Sequence, residues 1–463
     1  MKTTLIRGGK VVVGQSVSQQ DLLIKGERIA ALGDLSDLRS DETIDAGGLL
    51  VLPGGVDSHV HFNDVFMNTI SVHDYYTGTL SAAFGGTTSV IDFSNQSPGT
   101  TLMSTIDAKH AEAEGNALVD WGVHPVITQP TDETLAEIPK VVAAGAPTIK
   151  CYMTYREEGL LIEEPDLRRI MAKLRDAGGM LLVHAEDNDL AESGIASLLR
   201  SGLTSASYHS ESKPQSVENK AIEGAIQILR EVSGKLFIVH LSSAEGLKMV
   251  GTARGEGLNV LAETCTHYII YTEDMLNRED GLKWICSPPL RDKKTQDQLW
   301  EGLRDGRLVQ VTSDDAAYSW EATQLGKERF DLCPNGMPGV EPRFNILYSK
   351  GVAQDRISLP RFVELIATNP ARNFGMYPQK GTLLPGSEAD IVLFDPSSKW
   401  IMGQASSHSS NDWHAYEGIE ITGKIQQVFS RGELIIDGEN CMAEMGRGRY
   451  LHRQLTRGES SRW

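Results

Sequence analysis

The stretch Pro53-Gly54-Gly55-Val56-Asp57-Ser58-His59-Val60-His61 predicts a short strand that ends in two histidines. Because residues i and i+2 of a strand point to the same face, both imidazoles are expected on one side of it. The stretch is the first of eight short apolar segments in the middle of the chain, with helical sequence between most of them. These segments lie at Val56–His61, Thr87–Phe93, Val119–Val126, Thr148–Met153, Met180–His184, Leu236–His240, Leu258–Thr264 and Val309–Ser313.

Strands that alternate with helices over this length predict an α/β protein built on a (β/α)8 TIM-type barrel. The clearest helix lies at 216–232, where a single apolar stripe repeats with helical spacing. A doubly wound open sheet is the alternative. That fold calls for a Gly-rich phosphate loop after the first strand, and Asp57-Ser58-His59-Val60-His61 is not such a loop.

Both ends of the chain predict β-structure. Short strand candidates around Gly-rich turns occupy residues 1–50, and similar ones return at Asp390–Phe394, Ile425–Phe429 and Leu434–Ile436. We therefore expect a small β-sandwich domain formed by both ends, residues 1–53 and 376–440, and a catalytic barrel at 54–375. The polar, Arg-rich tail at 441–463 is expected to contact a neighbouring subunit or to fray.

The charge of the chain limits its partners. Its 463 residues carry a net charge of −18, from 44 Lys and Arg against 62 Asp and Glu. Nucleic acids and anionic membranes bind positively charged surfaces, so neither is an expected partner. Five scattered cysteines without a CxxC pair predict reduced, mostly buried thiols. With no apolar signal-peptide core and no stretch long enough to span a membrane, we expect a soluble cytoplasmic protein.

Five of the predicted strands end in groups that suit a metal site. The C-terminal strand ends of a barrel form its active-site face, so the fold would bring these groups together. Each alone has an ordinary explanation, such as a buried structural histidine or an aspartate that caps a loop. Their joint placement predicts a metal centre made of His59, His61, Lys150, His184, His240 and Asp314.

The residue types indicate two divalent ions. Imidazole and carboxylate suit Zn²⁺, and Mn, Co or Ni would fit the same ligands. Two such ions can share a hydroxide that attacks a carbonyl at neutral pH. An ammonium has no lone pair to offer as a bridge, but a desolvated lysine beside two cations loses its proton readily. The neutral amine of Lys150 could then capture CO₂ and become a two-oxygen carbamate, N6-carboxylysine.

Nearly the whole chain resembles the cyclic amidohydrolases of the dihydropyrimidinase and hydantoinase group. The resemblance rests on Pro53–Phe62, on Gly85-Gly86-Thr87-Thr88, and on the Lys150-Cys151-Tyr152-Met153-Thr154-Tyr155 stretch. It continues through Val183–Glu186, Ile238–Ser242, Glu263-Thr264-Cys265, Ser287–Arg291, Pro334–Glu341, Asn369–Arg372 and Gly386–Asp390.

The resemblance implies a role for each site residue. His59, His61 and Asp314 would hold one metal, His184 and His240 the other, and carbamylated Lys150 would bridge them. Tyr155 would donate to the substrate oxyanion, and the backbone groups of Ser287 and Asn335 would grip the cyclic amide. Asp314 would also move the proton from the bridging hydroxide to the leaving nitrogen. The implied reaction opens dihydropyrimidines or 5-substituted hydantoins to N-carbamoyl amino acids, in an enzyme that is commonly a homotetramer, with a dimer as the alternative.

Two positions differ from the sequences of the dihydropyrimidinase and hydantoinase group, and the role of one loop is undecided. Many relatives read Asp-His where this chain has Asp314-Asp315, so Asp315 either raises the proton affinity of Asp314 or, as we favour, points away. Relatives often have Pro-Gln where this chain has Thr266-His267, a difference that we expect to change only local loop detail. The apolar residues at 65–67 either line a pocket for a ring substituent or pack their loop onto the barrel.

Two other functions compete. Allantoinase and dihydroorotase relatives usually carry an Arg shortly after the HxH motif, and Phe62-Asn63-Asp64-Val65-Phe66 has no cation. A non-catalytic dihydropyrimidinase-like scaffold would have lost metal ligands, whereas all six positions are filled here. Cyclic amide hydrolysis is therefore the function that the sequence favours.

Overall fold

The computed structural model describes residues 1–455. Its strands, numbered in chain order, are β1 (Thr3–Val13), β2 (Ser16–Lys25), β3 (Arg28–Gly33), β4 (Glu42–Asp45), β5 (Leu50–Pro53), β6 (Gly55–Val60), β7 (Val65–Phe66), β8 (Thr69–Ile70), β9 (Thr87–Asn95), β10 (Asp120–Val126), β11 (Thr148–Tyr152), β12 (Met180–His184), β13 (Leu236–Ile238), β14 (Val260–Cys265), β15 (Gln310–Thr312), β16 (Ile391–Met402), β17 (Ile419–Ser430), β18 (Glu433–Asp437) and β19 (Asn440–Cys441).

The helices lie mostly between the strands of the middle region. They are α1 (Tyr75–Phe84), α2 (Leu102–Ala113), α3 (Asp132–Ala143), α4 (Glu164–Ala177), α5 (Asn188–Arg200), α6 (His209–Ser212), α7 (Gln215–Val232), α8 (Ala244–Gly255), α9 (Thr266–Ile270), α10 (Lys293–Asp305), α11 (Trp320–Thr323), α12 (Pro342–Leu347), α13 (Leu359–Val363) and α14 (Asn369–Asn373). The apolar stripe expected at 216–232 is the buried face of α7.

Eight parallel strands form a nearly closed barrel in the order β6-β9-β10-β11-β12-β13-β14-β15. Closure takes place just beyond β15, where the His61 amide donates to the Asp315 carbonyl at 2.8 Å. The barrel strands are buried on both faces, which explains why they read as continuous apolar runs rather than alternating ones. The predicted (β/α)8 barrel is confirmed.

The two ends of the chain meet in a single nine-stranded sheet. Its order is β19-β18-β17-β16-β5-β1-β2-β3, with β4 paired to β1. The N-terminal strands join the C-terminal ones where β5 pairs antiparallel with β16. The chain passes from this sheet into the barrel at Gly54, where a Cβ would collide with the side chain of Thr88. The expected β-structure from both chain ends is confirmed as one sheet. Its arrangement as a sandwich and the division into domains at 53/54 and 375/376 stay predictions.

A buried cation ties the end sheet to the barrel. Lys380 is 1% exposed and lies within 2.6–2.7 Å of three carboxylates, those of Asp120, Glu388 and Asp390. Asp120 begins barrel strand β10, whereas Asp390 directly precedes sheet strand β16. Because buried charges are tolerated only when they are paired, this cluster holds the two sheets in one relative position.

The C-terminal segment packs on the barrel of its own chain as far as residue 455. The Trp121 amide donates to the Arg449 carbonyl at 3.0 Å, and the Leu451 amide donates to the Trp121 carbonyl at 2.7 Å. Arg453 is buried and donates to Thr148 Oγ1. Residues 456–463 of the predicted tail lie outside the described residues, and its contact with a neighbouring subunit stays a prediction.

Two smaller expectations concern cysteines and membranes. All five cysteines are unpaired, and only Cys441 is exposed, as predicted. Within residues 1–455, none of the helices is both long enough and apolar enough to cross a membrane.

Candidate metal centre and active site

The predicted site residues meet in one pocket at the C-terminal ends of the barrel strands. His59 lies in β6, Lys150 in β11, and His184 at the end of β12, while His61, His240 and Asp314 follow β6, β13 and β15 within two residues. The pocket lining includes all of the predicted site residues except His59, namely His61, Lys150, Tyr155, His184, His240, Ser287, Asp314 and Asn335. His59 lies directly behind them.

Distances show how tightly the six proposed ligands are grouped. His59 Nε2 and His61 Nε2 lie 3.0 and 3.4 Å from Asp314 Oδ1. The ring centroids of His184 and His240 are 4.4 Å apart, and those of His59 and His240 are 5.4 Å apart. Ligand atoms of His59, His240 and Asp314 all lie within 4.8 Å of one another, so one metal ion could bind all three.

Three of the histidines are oriented by carboxylates that the sequence analysis did not single out. His59 Nδ1 donates to Glu263 at 2.6 Å, His61 Nδ1 to Asp64 at 3.1 Å, and His184 Nε2 to Glu186 at 2.7 Å. A carboxylate can only accept, so each pair places a proton on the named nitrogen and leaves the other ring nitrogen as the one that can bind a metal. Metal-binding histidines are held in this way in general. Glu186 and Asp64 follow their histidines by two and three residues, which is a signal that could have found them.

Three of the site residues have a strained backbone conformation. Tyr155, His240 and Asp314 have φ angles of 66°, 38° and 51°, in the left-handed region that non-glycine residues seldom adopt. Such conformations cost about 1–3 kcal/mol each and persist where the surrounding structure enforces them, typically at functional sites. The strain turns these side chains out of their strands and into the pocket.

The proposed substrate-contacting residues line the same pocket. Asn335 Nδ2 donates to the Tyr155 hydroxyl at 3.3 Å, and Ser287 Oγ donates to Glu186 at 2.5 Å. Phe66 also lines the pocket and packs edge-on against Tyr155, with centroids 4.9 Å apart. Of the apolar residues at 65–67, Val65 is 67% exposed, Phe66 lines the pocket, and the Met67 sulfur lies 3.8 Å from Asn335 Nδ2.

Comparison with known proteins places this arrangement in a family. Residues 50–435 match the model of the Amidohydrolase family. The chain belongs to the amidohydrolase family. It is 35% identical to a D-hydantoinase from Geobacillus stearothermophilus over 455 residues, covering 97% of this chain and 96% of that protein. It is 39% identical to a D-phenylhydantoinase from Escherichia coli O1:K1 / APEC over 455 residues, covering 97% and 98%.

Solved structures agree with the sequence comparison. The crystal structure of dihydropyrimidinase from Brevibacillus agri NCHU1002 superposes with a TM-score of 0.96 at 37% identity, covering 98% of this chain and 100% of that one. The predicted relationship to the dihydropyrimidinase and hydantoinase group is confirmed. The chain is an amidohydrolase, and this family implies a divalent metal site that the clustered His and Asp side chains could form.

Lys150 of this amidohydrolase has the surroundings that carbamate formation needs. It is fully buried, and among residues 1–455 its Nζ has no hydrogen-bond partner. Its Nζ lies over the rings of Phe93 and Tyr152, with centroids 4.6 and 4.7 Å away. Burial lowers the pKa of Lys150 to about 8. A buried, unpaired amine that gives up its proton near neutral pH fits the donor set of a metal-bridging carbamate.

The protonation of the other ligands also fits a cation site. Burial lowers the pKa of His184 to about 4, so its imidazole is neutral and able to bind a metal. Burial alone would lower the pKa of His61, but hydrogen bonds to Asp314 and Asp64 raise it to about 9. Burial alone would raise the pKa of Asp314, yet the neighbouring histidines hold it well below its usual range. A divalent ion can replace the shared protons of this cluster.

The two departures from the relatives' sequences lie in different places. The Asp315 carboxylate accepts from His73 Nδ1 and from the Gly339 amide, both at 2.7 Å, and is absent from the pocket lining. It therefore points away from Asp314, which is the alternative that we favoured. His267 does line the pocket, is 1% exposed, and has no hydrogen-bond partner on either ring nitrogen among residues 1–455. The expectation that Thr266-His267 changes only local loop detail is therefore wrong, because His267 lines the pocket.

Proposed function

We propose that this amidohydrolase hydrolyses the cyclic amide bond of dihydropyrimidines, 5-substituted hydantoins or both, giving N-carbamoyl amino acids. One observation carries the proposal: six groups suited to two metal ions converge on the same pocket as a tyrosine, a serine and an asparagine placed to hold a ring amide. The relatives named D-hydantoinase, D-phenylhydantoinase and dihydropyrimidinase support this substrate class.

In this proposal His59, His61 and Asp314 would hold one ion, and His184 and His240 would hold the other. Lys150, once carbamylated by CO₂, would supply a further ligand to both, and zinc is the metal that we expect, with Mn, Co or Ni able to fit. When bound, such ions polarise a carbonyl and make water nucleophilic at neutral pH. Glu263, Asp64 and Glu186 keep three of the imidazoles in the tautomer that leaves a lone pair for the metal.

Four residues of the chain would bind the substrate, stabilise the oxyanion and transfer the proton. Backbone groups of Ser287 and Asn335 hold the edge of the ring amide. The Tyr155 hydroxyl donates to the carbonyl oxygen as it gains negative charge, and its raised pKa, caused by burial, keeps it protonated as a donor. Asp314 takes the proton of the attacking water and returns it to the ring nitrogen as the C–N bond breaks.

The pocket wall supports a ring with an apolar substituent. Phe66, Leu160 and Met337 line the pocket beside the polar groups. They offer apolar area to a 5-alkyl or 5-aryl group, while the reacting amide faces the proposed ligands. The ring itself is neutral and becomes an oxyanion only during the reaction.

We further propose a cytoplasmic enzyme that associates into a homotetramer, with a dimer as the alternative. Unpaired cysteines support a reducing compartment. Light scattering coupled to size-exclusion chromatography tests the assembly, and a monomer at working concentration would contradict it.

The decisive experiment is a turnover panel with metal analysis of the same sample. The panel contains dihydrouracil, dihydrothymine, both enantiomers of 5-alkyl and 5-aryl hydantoins, and allantoin. We expect turnover of at least one dihydropyrimidine or hydantoin and about two metal ions per subunit. Chelation should abolish turnover, and Zn²⁺ or Mn²⁺ should restore it. Full activity in verified metal-free protein, or activity on allantoin alone, would overturn the proposal.

A further inference from the structure

A buried lysine outside the proposed ligand and substrate groups lies against the pocket. Lys213 follows α6 and is 4% exposed. Its Nζ donates to Ser287 Oγ at 2.7 Å and lies 3.9 Å from Glu186 Oε2. It also lies 5.3 Å from the centroid of the Tyr155 ring. A buried ammonium is costly unless it is paired, so this position needs an explanation.

The contacts of Lys213 form one hydrogen-bonded series that reaches a proposed metal ligand. Lys213 donates to Ser287 Oγ, Ser287 Oγ donates to Glu186 at 2.5 Å, and His184 Nε2 donates to the same Glu186 oxygen at 2.7 Å. All four residues are buried. The series therefore runs from the proposed substrate-binding wall to the metal centre without passing through solvent.

The direction of the series is set by the ammonium. An ammonium can only donate, so Ser287 Oγ must accept from Lys213 and donate its own hydrogen bond to Glu186. A carboxylate can only accept, so Glu186 requires a proton on His184 Nε2 and leaves Nδ1 free for a metal. With an apolar side chain at 213, the Ser287 hydroxyl could rotate and the constraint on its neighbours would be lost.

Lys213 is itself held in place. Its backbone carbonyl accepts from Arg291 Nη1 at 2.6 Å, and Arg291 forms a buried ion pair with Glu218 at 3.2 Å. The ammonium thus enters the site from a fixed backbone position. Its approach to the Tyr155 ring adds a cation–π contact to the residue proposed as the oxyanion donor.

We propose that Lys213 is a positioning residue that fixes the substrate-binding serine and the metal-binding histidine together, through the series Lys213–Ser287–Glu186–His184. This inference rests on the function proposed above. Lys213 does not touch substrate or metal in it, and acts by holding Ser287, Glu186 and Tyr155 in their working orientations.

The test compares Lys213→Met, which keeps the aliphatic stem, with Lys213→Arg, which keeps a donor-only cation. For Lys213→Met we expect KM to rise and metal loss to a chelator to become faster, each about tenfold or more, as for other supports of metal ligands. Lys213→Arg should recover most of both losses. Lys220→Met is the matched control, because Lys220 pairs with Asp187 at the surface and should leave both readouts unchanged.

A double-mutant cycle with Ser287→Ala separates positioning from general stability. Both single changes interrupt the same series, so Lys213→Met combined with Ser287→Ala should be little worse than either alone. Additive losses would overturn the proposal. So would wild-type KM and metal retention in folded Lys213→Met, or an Lys213→Arg protein as impaired as Lys213→Met. If Lys213→Met does not fold, Ser287→Ala and Lys213→Arg carry the same comparison.

The two readouts also keep this inference distinct from the proposed function. Metal loss is measured without substrate, so it reports on the series even if the substrate class is wrong. A wild-type protein that binds metal but opens none of the panel substrates would contradict the function and leave the metal comparison valid. A wild-type protein that binds no metal would overturn both.

Discussion

Replacing Glu263 with Gln tests whether His59 is a metal ligand held by a carboxylate. Glu263 lies in β14, is 1% exposed, and accepts from His59 Nδ1 at 2.6 Å with one oxygen. Its other oxygen accepts from Gln310 Nε2 at 2.7 Å. The change keeps the shape of the side chain, so any effect comes from the loss of its charge and from the two hydrogen bonds.

The size of the effect follows from the groups around Gln310. If the new amide oxygen serves His59, the amide nitrogen must face Gln310 Nε2, and two donors then meet in a buried place. Turning Gln310 over would only move the mismatch, because its Oε1 accepts from the Asn373 amide nitrogen at 2.9 Å and its own amide nitrogen would then face that donor. A buried unmade hydrogen bond costs about 1–3 kcal/mol. Since about 1.4 kcal/mol is a factor of ten, we expect metal affinity to fall about ten- to a hundredfold.

The assay is competition with a chromogenic chelator, with the melting temperature recorded in parallel. Glu263→Gln combined with Gln310→Glu restores both the charge and the pairing of donor with acceptor, so it should regain most of the affinity. Glu245→Gln removes a carboxylate that pairs with Lys248 at the surface and should have no effect. Unchanged metal affinity in Glu263→Gln would refute the role assigned to His59 and Glu263.

Three further predictions concern the oxyanion donor, the lysine carbamate and the contact between the two sheets. Tyr155→Phe should lower kcat about 10²–10³-fold with metal content unchanged, as expected for the loss of one oxyanion donor. The control in the same steady-state assay is Tyr450→Phe, because the Tyr450 hydroxyl lies away from the pocket. Burial lowers the pKa of Lys150 to about 8, and only its neutral amine can react with CO₂. Metal-free protein at fixed dissolved CO₂ should therefore take up metal faster as the pH rises through 8. A rate of metal uptake that is independent of both pH and CO₂ would contradict carbamate formation. Lys380→Met removes a buried cation from three carboxylates, of which Asp120 still pairs with Arg431. The change should lower the free energy of unfolding by about 3–5 kcal/mol, measured by chemical denaturation. A loss below about 1 kcal/mol, the usual worth of an exposed pair, would show that the cluster does not hold the sheets together.

The barrel could be predicted because its strands are buried on both faces and therefore stand out as apolar runs. All eight predicted segments are strands, but several end earlier than expected. The predicted strand at Leu236–His240 stops at Ile238, and the one at Val309–Ser313 stops at Thr312. The residues that follow include His240 and Asp314, whose positive φ angles are incompatible with an extended strand. Local sequence pattern does not report such angles, because the surrounding fold enforces them.

The proposed metal ligands could be predicted for a similar reason. Each lies at the end of a recognisable strand, and the barrel itself carries strand ends to one face. The groups that orient them are harder to find. Glu263 is 204 residues from His59, and Lys213 is 74 residues from Ser287, so no local spacing connects them. His267 differs from the residue that relatives often carry, but its place in the pocket depends on where α9 begins, which the sequence does not show.

The sequence by itself determined the barrel, the β-structure at both chain ends, and a set of His, Lys and Asp side chains suited to two metal ions. It did so because strand burial and strand ends follow from hydrophobic periodicity, which is local. The tertiary structure decided which ring nitrogen His59, His61 and His184 offer, that Asp315 accepts from His73, and that Lys213 donates to Ser287. These features depend on hydrogen-bond direction and on the exclusion of water between distant segments, and both exist only once the chain has folded.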